Sequence, residues 1–582
     1  MTCNKFKLTT VAALVLAATN ANAALYKVVE VATPSSIVGA SETFGVAIQP
    51  AAVTGTESCF TTGTIGGVAC DSFKLAGETR NSLEAISYRE EVPFAMDAVF
   101  QYLQEFDDFK NYCNRELRYS TCESWAKTRW EDTWFKERNN LSYVNAKAFI
   151  EGGAILDTRN TVINSLYVND ASEVKPLGIK SEGSIRNNAI FTTSPNGPAG
   201  SSETRAWKAI KASNGTVYNV GSVSTSETIT ETSTPDPVFS SKAAIWDGTN
   251  TKQIDWTRGG TARQGDYYAQ GSMRSIAESD TKFYGVGYNT VDGSGDLQDM
   301  NASVFISKSL DLADSANTWT TKSIEGAKVN SNSSNDYKYS NSVATDINKN
   351  LFVIGNSKRN GRVPENGSAG SKMFVVTDAS VATPTATYLT GGIFFAGSSG
   401  EARAVNNFNE IVGQVDAETT REVDGSERRH RGFIYPYDVA SSKDERRKNI
   451  FNEKAWWLDD LTNDGNVSGE NNKFRIIDAS GINDAGVISA TAIKCMIDTN
   501  GDGRGNDERA YDTTSHNSYC AGAASNAVEE VVAVKLIPIE GKGKSDIQAR
   551  STDTAKVDRK GGSLGWFALT VLGLLGFRRK FK

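Results

Sequence analysis

The sequence predicts a mainly β protein with a β-propeller-like repeat architecture and one helical hairpin inserted near the N-terminal end. A ten-residue segment that reads as two strands joined by a tight turn recurs along the chain. The chain is rich in Gly (51) and poor in Pro (12), as expected for many tight turns. Hydrophobic residues make up 39% of the 582 residues, which is enough for a packed core and excludes a chain that is disordered throughout.

The recurring segment begins with a strand, turns at an Asn or Asp, and ends with an apolar run closed by Gly or Ala. Its copies are ESDTKFYGVG (278–287), DINKNLFVIG (346–355), AVNNFNEIVG (404–413), GINDAGVISA (481–490) and, more faintly, GIKSEGSIRN (178–187). The aligned turn residues are Asp280, Asn348, Asn406 and Asn483, residue types that bond their own backbone in turns. They are 68, 58 and 77 residues apart, a period that suits three or four short strands per unit. This favours a propeller with loop insertions, and a stacked β-solenoid is the alternative.

Strand-like segments also lie at both ends of this repeat body, which we place at 24–540. LYKVVEV (25–31) opens it and VVAVKLIPI (531–539) closes it. Propellers often close by pairing the first strand with the last sheet, because that removes open edges. We therefore expect these two segments to pair.

One segment, about 83–138, breaks the β pattern. Apolar residues recur at helical spacing between Phe94 and Phe106, and a second helical run contains Trp125, Trp130 and Trp134. This predicts a helical hairpin. Its tryptophans either pack the hairpin onto the β body or form an aromatic platform for a ligand.

The cysteines predict an oxidising compartment. Of the seven, Cys3 falls in the N-terminal segment, and the other six form sequential pairs: Cys59 and Cys70, Cys113 and Cys122, Cys495 and Cys520. Three local disulfides are the simplest pairing, although six cysteines allow fifteen connectivities. No CxxC cluster suggests a metal site instead.

Both ends resemble targeting segments. Residues 1–23 combine Lys5 and Lys7, a short apolar run and the small-x-small site Ala21-Asn22-Ala23, which predicts a cleaved signal peptide. Residues 541–560 are polar and predict a flexible linker. Residues 561–582 contain Gly561-Gly562, an apolar run from 564 to 577 and a basic end with Arg578 and Arg579. Fourteen helical residues rise about 21 Å, short of the ~30 Å bilayer core, so the sequence predicts a short transmembrane sorting helix.

This tail resembles the GlyGly-CTERM sorting signal of Gram-negative bacteria. The resemblance implies type II secretion, removal of the tail by a rhomboid-type protease, and display or release outside the cell, after cleavage by signal peptidase at the other end. Gly561, Gly562, Arg578 and Arg579 are the residues that carry it. A plain tail anchor in the inner membrane, with the body in the periplasm, is the alternative. The repeats resemble the HAF-type repeat, and the whole resembles a family of exported proteins of unknown function, which transfers no catalytic residue.

The charge disfavours a phosphate-neutralising nucleic-acid binder. The net charge is -7. Without the two basic residues of the signal segment and the four of the tail, neither of which contains an acid, it becomes -13. Such an acidic exported protein attracts cations.

The best local motif is a calcium-type loop within DTNGDGRGNDER (498–509). Asp498, Asn500 and Asp502 stand at positions 1, 3 and 5, as in loops whose alternate oxygens face Ca²⁺. Arg509 replaces the bidentate Glu at position 12, so Asp507 or Glu508 would have to complete the shell. The alternative is a polar turn that binds nothing. Weaker patterns of the same kind occur at 459–471 and 292–299.

Other catalytic constellations are not recognisable. Only His430 and His516 could serve a histidine mechanism, and no nucleophile elbow, phosphate loop or HExxH is present. The cluster RRHRG (428–432) is interpreted as a solvated strand flank, with an anionic ligand as the alternative, and His516 as a surface residue. The sequence therefore favours a binding or structural protein, whose ligand it does not name, over an enzyme. The alternative is a secreted hydrolase of glycan-type substrates that uses two carboxylates at the mouth of a propeller.

Overall fold

The structure is a computed structural model of the 582-residue chain. It describes residues 24–37, 42–80, 106–114, 119–131, 135–136, 140, 142–182, 185–190, 201–229, 236–264, 267–292, 299–330, 337–359, 365–366, 370–419, 428–439 and 445–552. Five predicted features lie wholly or partly outside these residues: the signal peptide, the sorting tail, Trp134, the first half of the helical insertion and most of the 292–299 loop.

The described residues of the N-terminal part form six strands and two helices. The strands are β1 (Tyr26–Glu30), β2 (Glu42–Ile48), β3 (Thr64–Ile65), β4 (Val68–Ala69), β5 (Leu75–Arg80) and β6 (Lys147–Ile150). The helices α1 (Phe106–Tyr112) and α2 (Cys122–Arg129) lie between β5 and β6, within the predicted insertion. Strands β2, β5 and β6 pair in that order.

The middle of the chain folds into antiparallel sheets, most of which pair their strands in chain order. The first has β7 (Thr161–Val168), β8 (Val174–Glu182) and β9 (Ile185–Ile190). The second has β10 (Ser201–Lys211), β11 (Val217–Ile229), β12 (Asp236–Trp246) and β13 (Thr251–Ile254), and is followed by the small pair β14 (Arg263–Gln264) and β15 (Tyr267–Tyr268). The next has β16 (Gly271–Ser279), β17 (Lys282–Asp292), β18 (Asp299–Ser307) and β19 (Trp319–Ser323).

Two further sheets follow the same plan. One contains β20 (Val329–Asn330), β21 (Tyr337–Ile347), β22 (Val353–Arg359), β23 (Ser371–Val376) and β24 (Thr387–Tyr388). The other contains β25 (Gly400–Val405), β26 (Glu410–Asp416), β27 (His430–Pro436) and β28 (Trp456–Trp457), with the short helices α3 (Glu445–Asn449) and α4 (Leu458–Leu461) around β28. Because short turns join β21 to β22 and β25 to β26, the sequence signal for these two hairpins is local.

The two ends of the described chain share an eight-stranded sheet. It adds β29 (Phe474–Ile482), β30 (Ile488–Ile497), β31 (Asp507–Glu508) and β32 (Ala527–Pro538) to the N-terminal strands. Strand β1 pairs antiparallel with β32, from Tyr26 opposite Pro538 to Glu30 opposite Val534. The predicted pairing of the first and last strand segments is therefore confirmed. A single parallel bridge, Glu42 to Val531, joins β2 to β32.

One long strand of each set of antiparallel hairpins, which we call its first strand, contacts the first strands of the neighbouring sets. Strands β2 and β29 begin the two halves of the eight-stranded sheet, and β21 follows the two-residue edge strand β20. In the described part of the chain these first strands are β2, β7, β10, β16, β21, β25 and β29. Each contacts the next in this order, and β29 contacts β2, so the series of contacts closes on itself. Apolar side chains fill the space between neighbouring sheets: Val286 and Val304 of one sheet pack with Val353 and Phe374 of the next.

The structure contains the three local disulfides that the sequence predicts. They join Cys59 to Cys70, Cys113 to Cys122, and Cys495 to Cys520. The second bond ties α1 to α2. The apolar cluster around it, with Phe109 and Trp125 at its centre, is built from residues of this helical segment. The described part of the hairpin thus has its own small core.

The part of the predicted linker that the structure describes, 541–552, packs against the body. Arg550 is 5% exposed and donates from Nε to the Asp459 carbonyl oxygen at 2.7 Å. The Ser551 carbonyl oxygen accepts the backbone N–H of His516 at 3.0 Å. Among the described residues, no helix has both the length and the apolarity needed to span a membrane.

Candidate functional site

Each first strand carries a β-bulge at an equivalent place. One residue is skipped in its pairing with the second strand of the sheet, and a bulge re-aims the side chain that it inserts. We call these residues the bulge ring, because they lie on strands that contact one another in a closed series. They are Val46, Asn164, Trp207, Arg274, Thr345, Arg403 and Ser480. All seven side chains are half-buried.

A small residue faces each bulge, which explains the Gly or Ala that ends the sequence repeat. The facing residues are Gly77, Gly178, Gly221, Gly287, Gly355, Gly413 and Ala490. A Cβ at Gly221 would lie 1.7 Å from the Arg205 carbonyl oxygen, and one at Gly413 would lie 1.9 Å from the Glu401 carbonyl oxygen. At Gly221 and Gly413 the bulge therefore brings the backbone of the first strand too close for a side chain.

Neighbouring members of the bulge ring interact. The Asn164 Nδ2 donates to the carbonyl oxygen of Ala206, just before Trp207, at 2.7 Å. The Thr345 Oγ1 donates to the carbonyl oxygen of Ala402, just before Arg403, at 2.8 Å. Between these two pairs, the Arg274 guanidinium lies 3.6 Å above the Trp207 ring. The ring therefore contains an indole, two guanidinium groups, an amide and hydroxyls, and the Asn164 amide and the Thr345 hydroxyl use their donors within the ring.

The carboxylates beside the bulge ring are bound by basic side chains. Asp346 forms an ion pair with Lys208 and accepts hydrogen bonds from Ser275 Oγ (2.6 Å) and the backbone N–H of Val405 (3.1 Å), so it links four sheets. Arg403 donates from Nε to Asp478 at 2.9 Å and pairs with Glu401 at 3.0 Å. Burial raises the pKa of Tyr288, which lies beneath Arg274, although that cation opposes the rise.

The Asn of the sequence repeat clasps neighbouring sheets together. In Asn348, Asn406 and Asn483, Oδ1 accepts backbone N–H groups of its own turn. Nδ2 then donates to the next turn: Asn348 to the Asn406 carbonyl oxygen (2.9 Å), Asn406 to that of Asn483 (3.2 Å), and Asn483 to that of Gln49 (3.0 Å). We call these three residues the Asn clasps. All are about 4% exposed.

Two of the predicted repeat copies differ from the clasp pattern. Asp280 and Thr281 form a two-residue turn with positive φ angles of 49° and 60°, so Asp280 is not equivalent to the Asn clasps. The faint copy at 178–187 spans the β8–β9 connection, which joins the second and third strands of its sheet. The equivalent turn of that sheet is centred on Asn169, whose Oδ1 accepts the N–H of Glu173 at 2.8 Å. The spacing of an Asn four or five residues before the start of a strand could have revealed it.

The predicted calcium loop is an exposed turn closed by its own backbone. Asp498 accepts the N–H groups of Asn500 (3.1 Å), Gly501 (2.6 Å) and Gly503 (2.8 Å), and these hydrogen bonds, that of Gly503 foremost, lower its pKa. The Asn500 Nδ2 donates to Asp502 at 3.2 Å.

The two residues proposed to complete the calcium shell have basic partners. Asp507 accepts from Arg509 at 2.6 Å. Glu508 is held by Lys494 (2.6 Å) and Lys473 (2.9 Å), which lower its pKa to about 2. Among the residues that the structure describes, no group of three His, Cys, Asp or Glu side chains is arranged to hold a metal ion. In the weaker calcium-type pattern at 459–471, Asp460 is buried and accepts the Arg550 backbone N–H at 2.7 Å.

The interpretation of RRHRG as a solvated strand flank is wrong. Arg428 is 3% exposed and pairs with Asp416 at 3.0 Å, and His430 also contacts Asp416, at 3.1 Å. Arg431 pairs with Asp459 at 3.3 Å.

The interpretation of His516 as a surface residue is also wrong, because its side chain is 12% exposed and lies 3.1 Å from Asp460. His516, Asp460 and Arg431 belong to an internal ion network around Asp459. Burial opposes the ionisation of Asp459, but the nearby Arg431, Arg550 and Arg475 hold its pKa below the usual range.

Comparison with known proteins identifies the family. A family model described as "Protein of unknown function (DUF3466)" matches residues 212–580. The chain belongs to this family. The DUF3466 match runs from the β10–β11 connection to the basic end of the C-terminal tail.

No curated protein matches the chain. Among solved structures, an N-acetylgalactosamine deacetylase from F. plautii, in complex with blood group B trisaccharide, is similar over 65% of this chain and 90% of its own. It has 11% identity and a TM-score of 0.23, so this likeness carries no argument.

Proposed function

We propose that this DUF3466 protein is an exported binding or structural protein whose sheets form the blades of a β-propeller. The closed series of contacts between first strands supports this arrangement, because the innermost strands of propeller blades surround a common axis. The pairing of β1 with β32 supports it too, because it joins the two ends of the chain in one sheet.

One observation carries the preference for binding over hydrolysis: the carboxylates beside the bulge ring are ion-paired. A glycoside hydrolase needs two carboxyl groups, one of them protonated as the general acid. Asp346 is bound by Lys208, while Asp478 and Glu401 share Arg403. These carboxylate oxygens are thus bound by basic side chains of the protein itself. A binding surface has no such requirement.

A hydrolysis assay tests this proposal. The full chain is purified and incubated with a panel of aryl glycosides and polysaccharides, alongside the Asp346→Asn and Asp478→Asn variants. We expect no turnover above the rate of a catalyst-free control. Turnover that either variant abolishes would instead establish the carboxylate-dependent hydrolase.

We also propose the export route that the two ends suggest. Signal peptidase would remove 1–23, type II secretion would carry the body outward, and a rhomboid-type protease would cut the tail near Gly561-Gly562 while it is transiently in the inner membrane. The DUF3466 match supports a shared tail, because it continues to residue 580. A permanent inner-membrane anchor facing the periplasm is the alternative.

Mass spectrometry of the mature C-terminus distinguishes these routes. We expect surface-exposed protein that lacks Arg578 and Arg579. Replacing Gly561 and Gly562 with Leu would strengthen the helix and leave the body in the inner membrane, because Gly costs about 1 kcal/mol in a helix relative to the best helix formers. Recovery of surface-exposed protein with an intact basic end would refute the sorting route.

A further inference from the structure

A polar cavity opens between two neighbouring sheets where the series of Asn clasps is interrupted. In the β10–β11 turn, Ala212 occupies the position of an Asn clasp. Its N–H donates to the Thr216 carbonyl oxygen, just as the N–H of Asn406 donates to the Glu410 carbonyl oxygen. The Asn169 Nδ2 on the preceding turn donates to Glu173 Oε2 at 3.0 Å instead of reaching the next turn. An ion pair between Asp170 and Lys211 bridges the two turns.

The cavity has a volume of about 520 Å³, enough for a small ligand. It is lined by Tyr167, Asn169, Asp170, Ala171, Val217, Asn219 and Asp247. Its one aromatic residue, Tyr167, is half-buried, as is Asp247, and Asp170 is exposed.

Asn219 supplies independent evidence for a ligand. It lines the cavity, is 4% exposed, and its Oδ1 has no hydrogen-bond partner among the described residues. A buried amide oxygen without a donor is costly in a folded protein. A ligand that donates a hydrogen bond to this amide would remove that cost.

The Asp247 carboxylate also favours a ligand with several hydrogen-bond donors. The Oδ1 of Asp247 accepts two backbone N–H groups, those of Thr249 (2.9 Å) and Asn250 (2.7 Å). Its Oδ2 accepts one donor, Asn250 Nδ2, at 3.3 Å. Burial opposes its ionisation, but these hydrogen bonds hold its pKa below the usual range. A carboxylate has about four acceptor positions, so Oδ2 has room for one further donor.

We propose that this cavity binds a neutral saccharide unit, which deepens the proposed binding function and rests on it. Sugar hydroxyls would donate to Asn219 Oδ1 and Asp247 Oδ2, and the Tyr167 ring would contact an apolar face of the sugar. A cationic ligand fits less well, because Lys211 already neutralises Asp170 and backbone N–H groups surround the Asp247 carboxylate.

The test measures saccharide binding by the full chain. An array of neutral oligosaccharides selects a probe, and calorimetry then compares the wild type with Asn219→Ala. We expect the variant to weaken binding at least tenfold. Ser224→Ala is the matched control, because Ser224 lies on the same strand and is fully buried with no hydrogen-bond partner for Oγ, but does not line the cavity. It should bind the probe as the wild type does.

Stability separates a ligand site from a structural role. Without saccharide, Asn219→Ala should melt no lower than the wild type, because it removes an amide oxygen that has no partner. If it nevertheless fails to fold, Tyr167→Phe and Tyr167→Ala replace it, and only the loss of the ring should weaken binding tenfold.

Three results would overturn the saccharide site. They are no binding of any neutral saccharide at millimolar concentration, tighter binding of putrescine than of every saccharide, and saccharide binding that Asn219→Ala leaves unchanged. None of these results restores hydrolysis, so the proposed function would stand or fall separately on the turnover assay.

Discussion

Truncation of one Asn clasp should destabilise the protein far more than truncation of an exposed Asn nearby. Asn406 is 4% exposed and makes four side-chain hydrogen bonds. Its Oδ1 accepts the N–H groups of Phe408 (3.0 Å) and Glu410 (3.1 Å), and its Nδ2 donates to the Asn483 carbonyl oxygen (3.2 Å) and to Glu410 Oε2 (2.5 Å). At about 1 kcal/mol net for each bond, Asn406→Ala should cost about 4 kcal/mol of unfolding free energy.

The matched control for this change is Asn350→Ala. Asn350 lies on the neighbouring turn, is exposed, and its side chain makes one hydrogen bond, to the Asn407 carbonyl oxygen at 2.9 Å. We expect a loss of about 0.5 kcal/mol or less, as is usual for surface positions. Urea unfolding followed by tryptophan fluorescence measures both variants. Equal losses, or a loss below about 1 kcal/mol for Asn406→Ala, would show that the clasp does not hold the sheets together.

Three further predictions concern the bulges, acid stability and calcium. Gly413→Ala should destabilise the fold by about 3 kcal/mol, because its Cβ would lie 1.9 Å from the Glu401 carbonyl oxygen. A melting temperature equal to that of the control Gly63→Ala would contradict this. Because the folded pKa of Glu508, about 2, is below its usual value of 4.5, its stabilisation is present above about pH 4.5 and lost as the pH falls towards 2. Urea midpoints for Glu508→Gln should accordingly depend less on pH in that window. If the 498–503 loop binds Ca²⁺, a Ca²⁺ concentration of ~100 times the dissociation constant should add about 2.7 kcal/mol to the free energy of unfolding. Asp502→Ala should abolish this gain. A melting curve that a chelator leaves unchanged would favour a turn that binds no metal.

The elements that the sequence predicts well are those whose cause is local. Turns such as that of Asn406 depend on a side chain that bonds N–H groups two and four residues further on, so their signal lies within five residues. The disulfides are predictable for the same reason, since the largest of their separations is 25 residues. The pairing of β1 with β32 is long-range, but it follows from the need to cover open strand edges.

The candidate sites depend on contacts that no short pattern records. Lys208 and Asp346 of the bulge ring region are 138 residues apart, and Arg550 reaches the Asp459 carbonyl oxygen across 91 residues. A charged run such as RRHRG looks solvated until its distant acidic partners are known. The repeat does record one consequence of the fold, the Gly at position 413 and its equivalents, but the bulge that requires it is visible only in the strand register.

The cavity coincides with an interruption of the series of Asn clasps. Where an Asn occupies the turn, its Nδ2 reaches the next sheet and closes the space between the two turns, as Asn406 does to Asn483. At Asn169 the Nδ2 instead donates to Glu173 within its own turn, and the ion pair of Lys211 with Asp170 bridges this turn to the β10–β11 turn. A repeat architecture can therefore leave a pocket between two of its units where one Asn bonds within its own turn, while the three Asn clasps continue to hold other units together. On this reasoning, the position at which a repeat departs from its own pattern is the first place to look for a ligand in other members of the family.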